Sequence, residues 1–393
     1  MRSYETTHPW INFRATDINK VAPNQWMLLG EAKSKCEHLA GVPLEPTVAQ
    51  QLYLVTLIKG ALGTTAIEGN TLTEDQVRAI IAGTATMPPS RQYQETEVKN
   101  VLNSLGEIQA KILRREEIAL TVNSICEFNQ QILNGLELEP GVVAGDIRTY
   151  SVAVPNYRGA PAEDCEFLLH QLIEWLNSPV FQSEDPELSF ALTIAKAIYA
   201  HLYIAWIHPF GDGNGRTARL VEFQILAASG VVPIPAAHLL SNHYNLTRDV
   251  YYRELEKASR VALGDTIGFL TYAIQGFVDG IRQVIEMVRG HQFDVAWINY
   301  VHERFARLPN SVASVRQRSL VLAMPLWQAV SRVDLEGLTP KIARLYAKAG
   351  PRTLSRDLNT LLSLGLIRKV GKQFEASSEL VLAFLAPRAE NGI

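Results

Sequence analysis

Twelve consecutive residues, His208-Pro209-Phe210-Gly211-Asp212-Gly213-Asn214-Gly215-Arg216-Thr217-Ala218-Arg219, constrain this chain more than any other stretch. Glycines alternate with polar residues, so successive backbone N–H groups can converge on an anion with no Cβ in the way. A helix starting near Gly213 would aim the positive end of its dipole at the same point. Asp212 is placed to hold Mg²⁺, and the two arginines to clamp further phosphates. His208 is the one group in the run able to accept a proton near neutral pH, since its unperturbed pKa is about 6.5. A lone Gly-x-Gly is usually just a turn between helices. With a base, a carboxylate and two guanidinium groups beside it, the run reads as a site for nucleotidyl or phosphoryl transfer to a hydroxyl.

At 393 residues the chain has room for two or three domains, and 47% hydrophobic residues fit a soluble globular protein. The most apolar stretch, Leu188 to Phe210, is interrupted by Thr193, Lys196, His201 and His208, which predicts a buried core helix and no membrane partner. The start, Met1-Arg2-Ser3-Tyr4-Glu5, lacks the apolar segment of a signal peptide, so a cytoplasmic location is expected. Cys36, Cys126 and Cys165 are widely spaced and odd in number, which argues against a disulfide framework or a zinc site. The net charge of −3 gives no general affinity for nucleic acid, but it is unevenly placed. Residues 293–393 carry 14 Lys+Arg against 8 Asp+Glu, a balance of +6, which leaves −9 for the rest.

Prolines at 9, 23, 43 and 46 punctuate an N-terminal cap with one helix around Gln25 to Ala40. From Val48 to Leu62 apolar residues recur at helical spacing, and Gly63 with Gly69-Asn70 is expected to end the segment. Thr73 and Gln76 form a capping-box pattern for a helix from Glu74 to Gly83. Further helices are predicted over Gln94–Arg115, Thr121–Leu133, Asp164–Asn177, Pro186–Ile207, Arg216–Ser229, Tyr251–Ala262 and Thr266–Val288. Ile147 to Val154 breaks this rhythm with β-branched and aromatic residues before Pro155-Asn156, which predicts a short hairpin. Residues 1–290 therefore read as one mainly α domain.

Residues 293–388 read as a separate small module. Thr339 is placed to cap a helix over Lys341–Lys348 with Pro340 in its first position. Pro351 to Leu366 reads as a second helix, with Leu354, Leu358, Leu361, Leu362 and Leu364 on the buried face and Arg352 and Arg356 pointing elsewhere. Ile367 to Phe374 alternates around a glycine like a basic hairpin carrying Arg368, Lys369 and Lys372. This order resembles an α/β winged helix-turn-helix. Arg352 and Arg356 would then contact DNA while Arg368, Lys369 and Lys372 reach phosphates. The same module could instead hold a protein partner or a second copy of the chain.

The run from His208 to Arg219 resembles, without a departure, the Fic family signature His-Pro-Phe-x-Asp/Glu-Gly-Asn-Gly-Arg-x-x-Arg. The resemblance implies a mainly α Fic core with a β-hairpin flap. It also implies AMPylation, in which a Ser, Thr or Tyr hydroxyl of a protein target attacks the α-phosphorus of ATP and expels pyrophosphate. His208 would take the hydroxyl proton, and Asp212 would hold Mg²⁺ on the phosphates. The loop and helix start at Gly211, Gly213, Asn214 and Gly215 would cradle phosphates, assisted by Arg216, with Arg219 reaching the γ-phosphate. Phe210 and Pro209 would shape the loop.

Thr64-Thr65-Ala66-Ile67-Glu68-Gly69 is similar to the family's inhibitory motif, Ser/Thr-x-x-x-Glu-Gly/Asn, here on a helix of about residues 48–70. The resemblance implies that Glu68 pairs with Arg219 and so competes with the γ-phosphate for that arginine, with no separate antitoxin required. It places the hairpin near Ile147–Val154 as a flap holding the target segment, and Asn242, Tyr251 and Tyr252 near the adenine. Two alternatives stay open. Glu68 could position a water that removes AMP from modified targets, making the protein a de-AMPylase or a bifunctional enzyme. The core could also sense nucleotide for a DNA-binding transcriptional regulator, although an intact His208 favours an enzyme.

Overall fold

The computed structural model of the chain describes residues 2–15, 21–152, 159–260, 266–347, 349–350 and 352–382. It is mainly α and divides into two compact units, residues 1–286 and 287–393.

In the first unit, α1 (Ser3–Thr7) and α2 (Pro23–Gly41) form the N-terminal segment, and α3 (Pro46–Ala66) starts with proline in its first turn, where the missing N–H is harmless. Gly63 does not end α3 as expected. A Cβ there would stand 2.5 Å from the Ser241 carbonyl oxygen, so this glycine serves close helix packing instead. Thr73 caps α4 (Glu74–Ile81), its Oγ1 accepting from Gln76 N at 3.3 Å while its N–H donates to Gln76 Oε1 at 2.9 Å. Then come α5 (Gln92–Leu113), α6 (Val122–Leu133), α7 (Cys165–Leu176), α8 (Pro186–Ile207) and α9 (Asn214–Ala228). From Ala197 to Ile207 every residue of α8 is buried, so the helix is apolar all round because it is packed all round. It is long and apolar enough to cross a membrane by length and composition, yet 78% of its most apolar window is buried against protein.

After α10 (Ile234–Ala237), α11 (Leu239–Leu246) and α12 (Arg248–Arg260), α13 runs from Ile267 to Ala306. The helix end expected at Val288 is absent, because the apolar pattern continues through Trp297, Val301 and Phe305, all buried.

The expected hairpin at Ile147–Val154 is not a hairpin in its described part: Ile147 makes a single antiparallel bridge to Phe210. Residues 153–158, including Val154, lie outside the described residues.

The second unit contains α14 (Val312–Ala323), β1 (Val330–Ser331), α15 (Arg332–Leu335), α16 (Pro340–Ala347), α17 (Thr353–Ser363), β2 (Ile367–Val370) and β3 (Gln373–Ala376). Ile342 N donates to Thr339 Oγ1 at 3.2 Å at the start of α16. The three strands form an antiparallel sheet in the order β1-β3-β2, with Val330 opposite Phe374 and Ile367 opposite Ala376. The sequence reading had no place for β1, whose two residues are too short to show alternation. Leu354, Leu358 and Leu361 of α17 join Trp297, Leu320 and Ile367 in the core. Asp357 ties three helices together: its buried carboxylate accepts from Arg316 Nε at 2.6 Å, Gln317 Nε2 at 2.8 Å and Tyr346 Oη at 2.8 Å.

Candidate active site

The site lies where α8 hands over to α9. Pro209 disfavours a right-handed helical residue before it, and α8 closes with His208 in the left-handed conformation (φ 51°, ψ 58°). The imidazole Nδ1 lies 3.4 Å from the Ala205 carbonyl oxygen, which can only accept, so Nδ1 carries the proton and Nε2 is left as the basic nitrogen. Burial pushes the His208 pKa down to about 4, and the nearby Arg148 charge adds to this, while the Ala205 bond and the Glu68 and Asp212 carboxylates oppose it. His208 is therefore a neutral base at physiological pH.

The loop after it is held rigidly. Asn214 Nδ2 donates to the Phe210 carbonyl at 2.9 Å and Asn214 Oδ1 accepts from Phe210 N at 2.9 Å, so this side chain braces the loop and leaves its own N–H at the helix start. Gly213 caps α9 at φ 77°, a conformation that suits glycine, and a Cβ there would approach Asn129 Nδ2 to 2.9 Å. Asn129, buried on α6, donates to the Asp212 carbonyl at 2.8 Å and accepts from Gly145 N at 2.9 Å. Gly211 lies under the Tyr150 hydroxyl, which a Cβ would overlap.

Both arginines are buried on α9 and each meets a carboxylate. Arg219 Nη2 donates to Glu68 Oε1 at 2.6 Å and to the Thr64 carbonyl at 2.8 Å. Glu68 sits in the turn that ends α3, one residue past its C-cap Ile67, not on the helix itself. Burial works to raise the Glu68 pKa, but the Arg219 guanidinium, helped by Arg216 and His208, holds the carboxylate below its usual range. A Cβ on Gly215 would overlap Glu68 Oε1, so the carboxylate lies directly against the glycine at the start of α9. Arg216 Nη1 donates to Glu97 Oε1 at 2.7 Å, and Arg216 Nη2 to Asp212 Oδ1 at 3.1 Å. Asn70 Nδ2 in turn donates to Glu97 Oε2 at 3.0 Å, linking this pair to the turn that carries Glu68.

Among the described residues, Arg219 Nε and Nη1 and Arg216 Nε are buried donors with no acceptor. Such donors are costly unless something polar arrives, and they stand beside a helix N-terminus. Phosphate oxygens fit them. No group of three His, Cys, Asp or Glu suited to a metal occurs among the described residues. The Asp212 side chain is 51% exposed, so a Mg²⁺ here would share one carboxylate with phosphate oxygens and water.

The outlying residues divide differently. Tyr251 is a core residue whose hydroxyl lies 2.9 Å from His201 Nε2, whereas Tyr252 is half-buried with the Arg248 guanidinium 6.0 Å from its ring. Asn242 meets α3 through its backbone N, which a Cβ on Gly63 would approach to 2.8 Å. Arg352, Arg356, Lys369 and Lys372 are exposed in the second unit. Arg368 is exposed as well, and carboxylates at Glu375 (3.1 Å) and Glu379 (3.2 Å) engage it. Sequence reasoning missed Arg148, Asn129 and Glu97, whose only signal was a polar residue on an otherwise apolar face or strand-like run.

Residues 119–226 match the Fic/DOC family. The chain carries a Fic domain. Over 222 residues it is 32% identical to protein adenylyltransferase fic-1 of Caenorhabditis briggsae and equally to that of Caenorhabditis elegans, a match covering 56% of this chain and 40% of each relative. It is 26% identical over 266 residues to protein adenylyltransferase Fic of Nematostella vectensis, covering 68% of this chain and 58% of that one. The chain thus spans less than two thirds of these relatives. Among solved structures, Fic-1 (residues 134–508) of C. elegans superimposes with a TM-score of 0.55 at 26% identity, covering 68% of this chain and 73% of that one. A Fic family protein from Desulfovibrio desulfuricans shares the fold at a TM-score of 0.56 and 20% identity over 92% of this chain and 98% of that one. The matched residues include the loop, His208 and both arginines.

Proposed function

We propose that the protein is an autoinhibited protein adenylyltransferase that moves AMP from ATP to a Ser, Thr or Tyr hydroxyl of a protein target. One observation carries the reading: Glu68 Oε1 lies 2.6 Å from Arg219 Nη2, against the glycine that opens α9, beside a neutral His208. In the reaction the target hydroxyl loses its proton to His208 Nε2 as its oxygen attacks the α-phosphorus, and the bond to the pyrophosphate oxygen breaks. Charge grows on the leaving pyrophosphate, and Arg219, Arg216 and the N–H groups of α9 are placed to offset it. Mg²⁺ held by Asp212 would supply further charge neutralisation on the phosphates.

Autoinhibition follows from competition. While Glu68 holds Arg219, the γ-phosphate has lost its bidentate partner, and the carboxylate repels the phosphates electrostatically. Glu68→Gly should therefore raise AMP transfer to the protein itself or to a partner, and His208→Ala should remove it. If labelled ATP leaves no His208-dependent label even with Glu68→Gly, the reading fails.

For the second unit, residues 287–393, we propose a winged-helix-like module that contacts the partner rather than the nucleotide. Its helix, turn, helix and hairpin order supports this, with Arg352, Arg356, Lys369 and Lys372 exposed. Since Arg368 is paired internally, we favour a protein partner over DNA. A gel shift weakened by salt and by Arg356→Ala would reverse that choice.

A further inference from the structure

Arg148 is buried, only 3% exposed, yet among the described residues no carboxylate pairs with it. A buried guanidinium without a counter-charge is costly unless its donors are met. Here they are met by main-chain carbonyls. Arg148 Nε donates to the His208 carbonyl at 2.7 Å, Nη1 to the Tyr150 carbonyl at 2.7 Å, and Nη2 to the carbonyls of Ala160 and, at 3.5 Å, Ile207. Its own N–H donates to the Pro209 carbonyl at 2.9 Å.

These acceptors fall into two groups. Ile207 and His208 are the end of α8, where carbonyls lack helical partners and the helix dipole favours a cation, so Arg148 caps that helix from outside. Tyr150 and Ala160 are the two feet of the segment between them. A Cβ on Gly159 would approach Arg148 Nη2 to 3.3 Å and His208 Cβ to 3.2 Å, so the second foot, the clamp and the base are in mutual contact. His208 meanwhile keeps a left-handed conformation, which is unfavourable for a residue with a Cβ. Something must hold it there.

We propose that Arg148 is a positioning residue that fixes the His208 backbone, and with it the carbonyls of Tyr150 and Ala160, through one guanidinium, so that the base is held in place. The inference rests on the reading of His208 as the base of a transfer reaction. Arg148 touches neither substrate nor reacting atoms; it acts through His208. The planar fork matters, because four carbonyls at different angles need several fixed donors, which an ammonium on a flexible stem cannot present.

The test uses the full chain and has two arms. In the first, histidine ring NMR follows His208 through a pH titration with no reaction required. The charges around the ring are Arg148, which lowers its midpoint, and Glu68 and Asp212, which raise it. Arg148→Gln should move the midpoint upward, while Arg148→Lys should leave it low; an unmoved midpoint in Arg148→Gln overturns the proposal. In the second arm, in the Glu68→Gly background, Arg148→Lys should lower kcat by about ten- to a hundredfold with KM for ATP within about twofold, as expected for a misplaced base rather than lost binding. Unchanged kcat, or a matching loss of ATP affinity, overturns it. If Arg148→Gln does not fold, Arg148→Lys decides through the kinetic arm. Should Glu68→Gly itself show no His208-dependent transfer, the adenylyltransferase reading falls while the titration arm still judges Arg148.

Discussion

Glu68 and Arg219 are 151 positions apart, yet the carboxylate oxygen lies 2.6 Å from the guanidinium nitrogen. The arginine side chain is fully enclosed, whereas the glutamate side chain is 32% exposed. Removing the glutamate leaves Arg219 with the Thr64 carbonyl and its two orphan donors. The account expects the freed arginine to take phosphate.

Gly215→Ala separates the two functions of that spot. A methyl there overlaps Glu68 Oε1 and comes within 3.1 Å of Arg219 Nη1. Displacing Glu68 alone would activate, but the methyl would also fill the proposed phosphate cradle. Calorimetric titration of ATP into Glu68→Gly and Glu68→Gly/Gly215→Ala should therefore show at least a tenfold weaker affinity in the double variant, about 1.4 kcal/mol. Equal affinities would mean the phosphates do not lie on Gly215.

The pH dependence has a definite sign. His208 has a folded pKa of about 4, below its unfolded value of about 6.5. A base must be neutral to act, so kcat/KM of the Glu68→Gly enzyme should stay level from about pH 8 down to about pH 5 and fall only near pH 4. The same depression means that this group's contribution to stability is complete above about pH 6.5 and is lost as pH falls toward 4. A rate inflection at 6.5 or higher would show that the imidazole is not desolvated in the working enzyme.

Asn129→Ala tests the bracing of the loop. It removes the donor to the Asp212 carbonyl and the acceptor of Gly145 N, leaving two part-buried main-chain groups without these partners. The expected loss is about 1–3 kcal/mol in urea denaturation, with a fall in transfer rate larger than any change in KM for ATP. Unaltered stability would make the loop self-supporting.

Much of the first unit was legible in sequence because helices such as α5, α6 and α7 are amphipathic, and caps such as Thr73 and Thr121 announce helix starts. The handover from α8 through His208 to α9 was legible for another reason: each glycine and polar residue there has a chemical requirement. Three things were hidden. Gly63 looked like a stop but permits close packing; the continuation of α13 past residue 290 shows only when Trp297, Val301 and Phe305 are seen as one buried stripe. Arg148 and Glu97 act through partners far along the chain, the His208 carbonyl and Arg216, and no local pattern reports such a contact.

In the second unit, Asp357 of α17 is a buried charge whose partners come from two other helices, α14 and α16. Asp357→Ala strands the Arg316 guanidinium and should cost about 3–5 kcal/mol, against less for Asp357→Asn, which keeps the volume. Urea denaturation of the full chain should then show an early transition, with the near-UV signal of Trp297 and Tyr346 lost first. A single unshifted transition would contradict a structural role for this carboxylate.

The most direct test of restrained AMP transfer is the protein-bound label left by ATP labelled at the α-phosphate, compared for the wild type, Glu68→Gly and Glu68→Gly/His208→Ala incubated with native cell extract. The account predicts at least about tenfold more label on protein with Glu68→Gly than with wild type, and none above background once His208 is removed. Equal labelling by wild type and Glu68→Gly, or label that survives loss of His208, would contradict it.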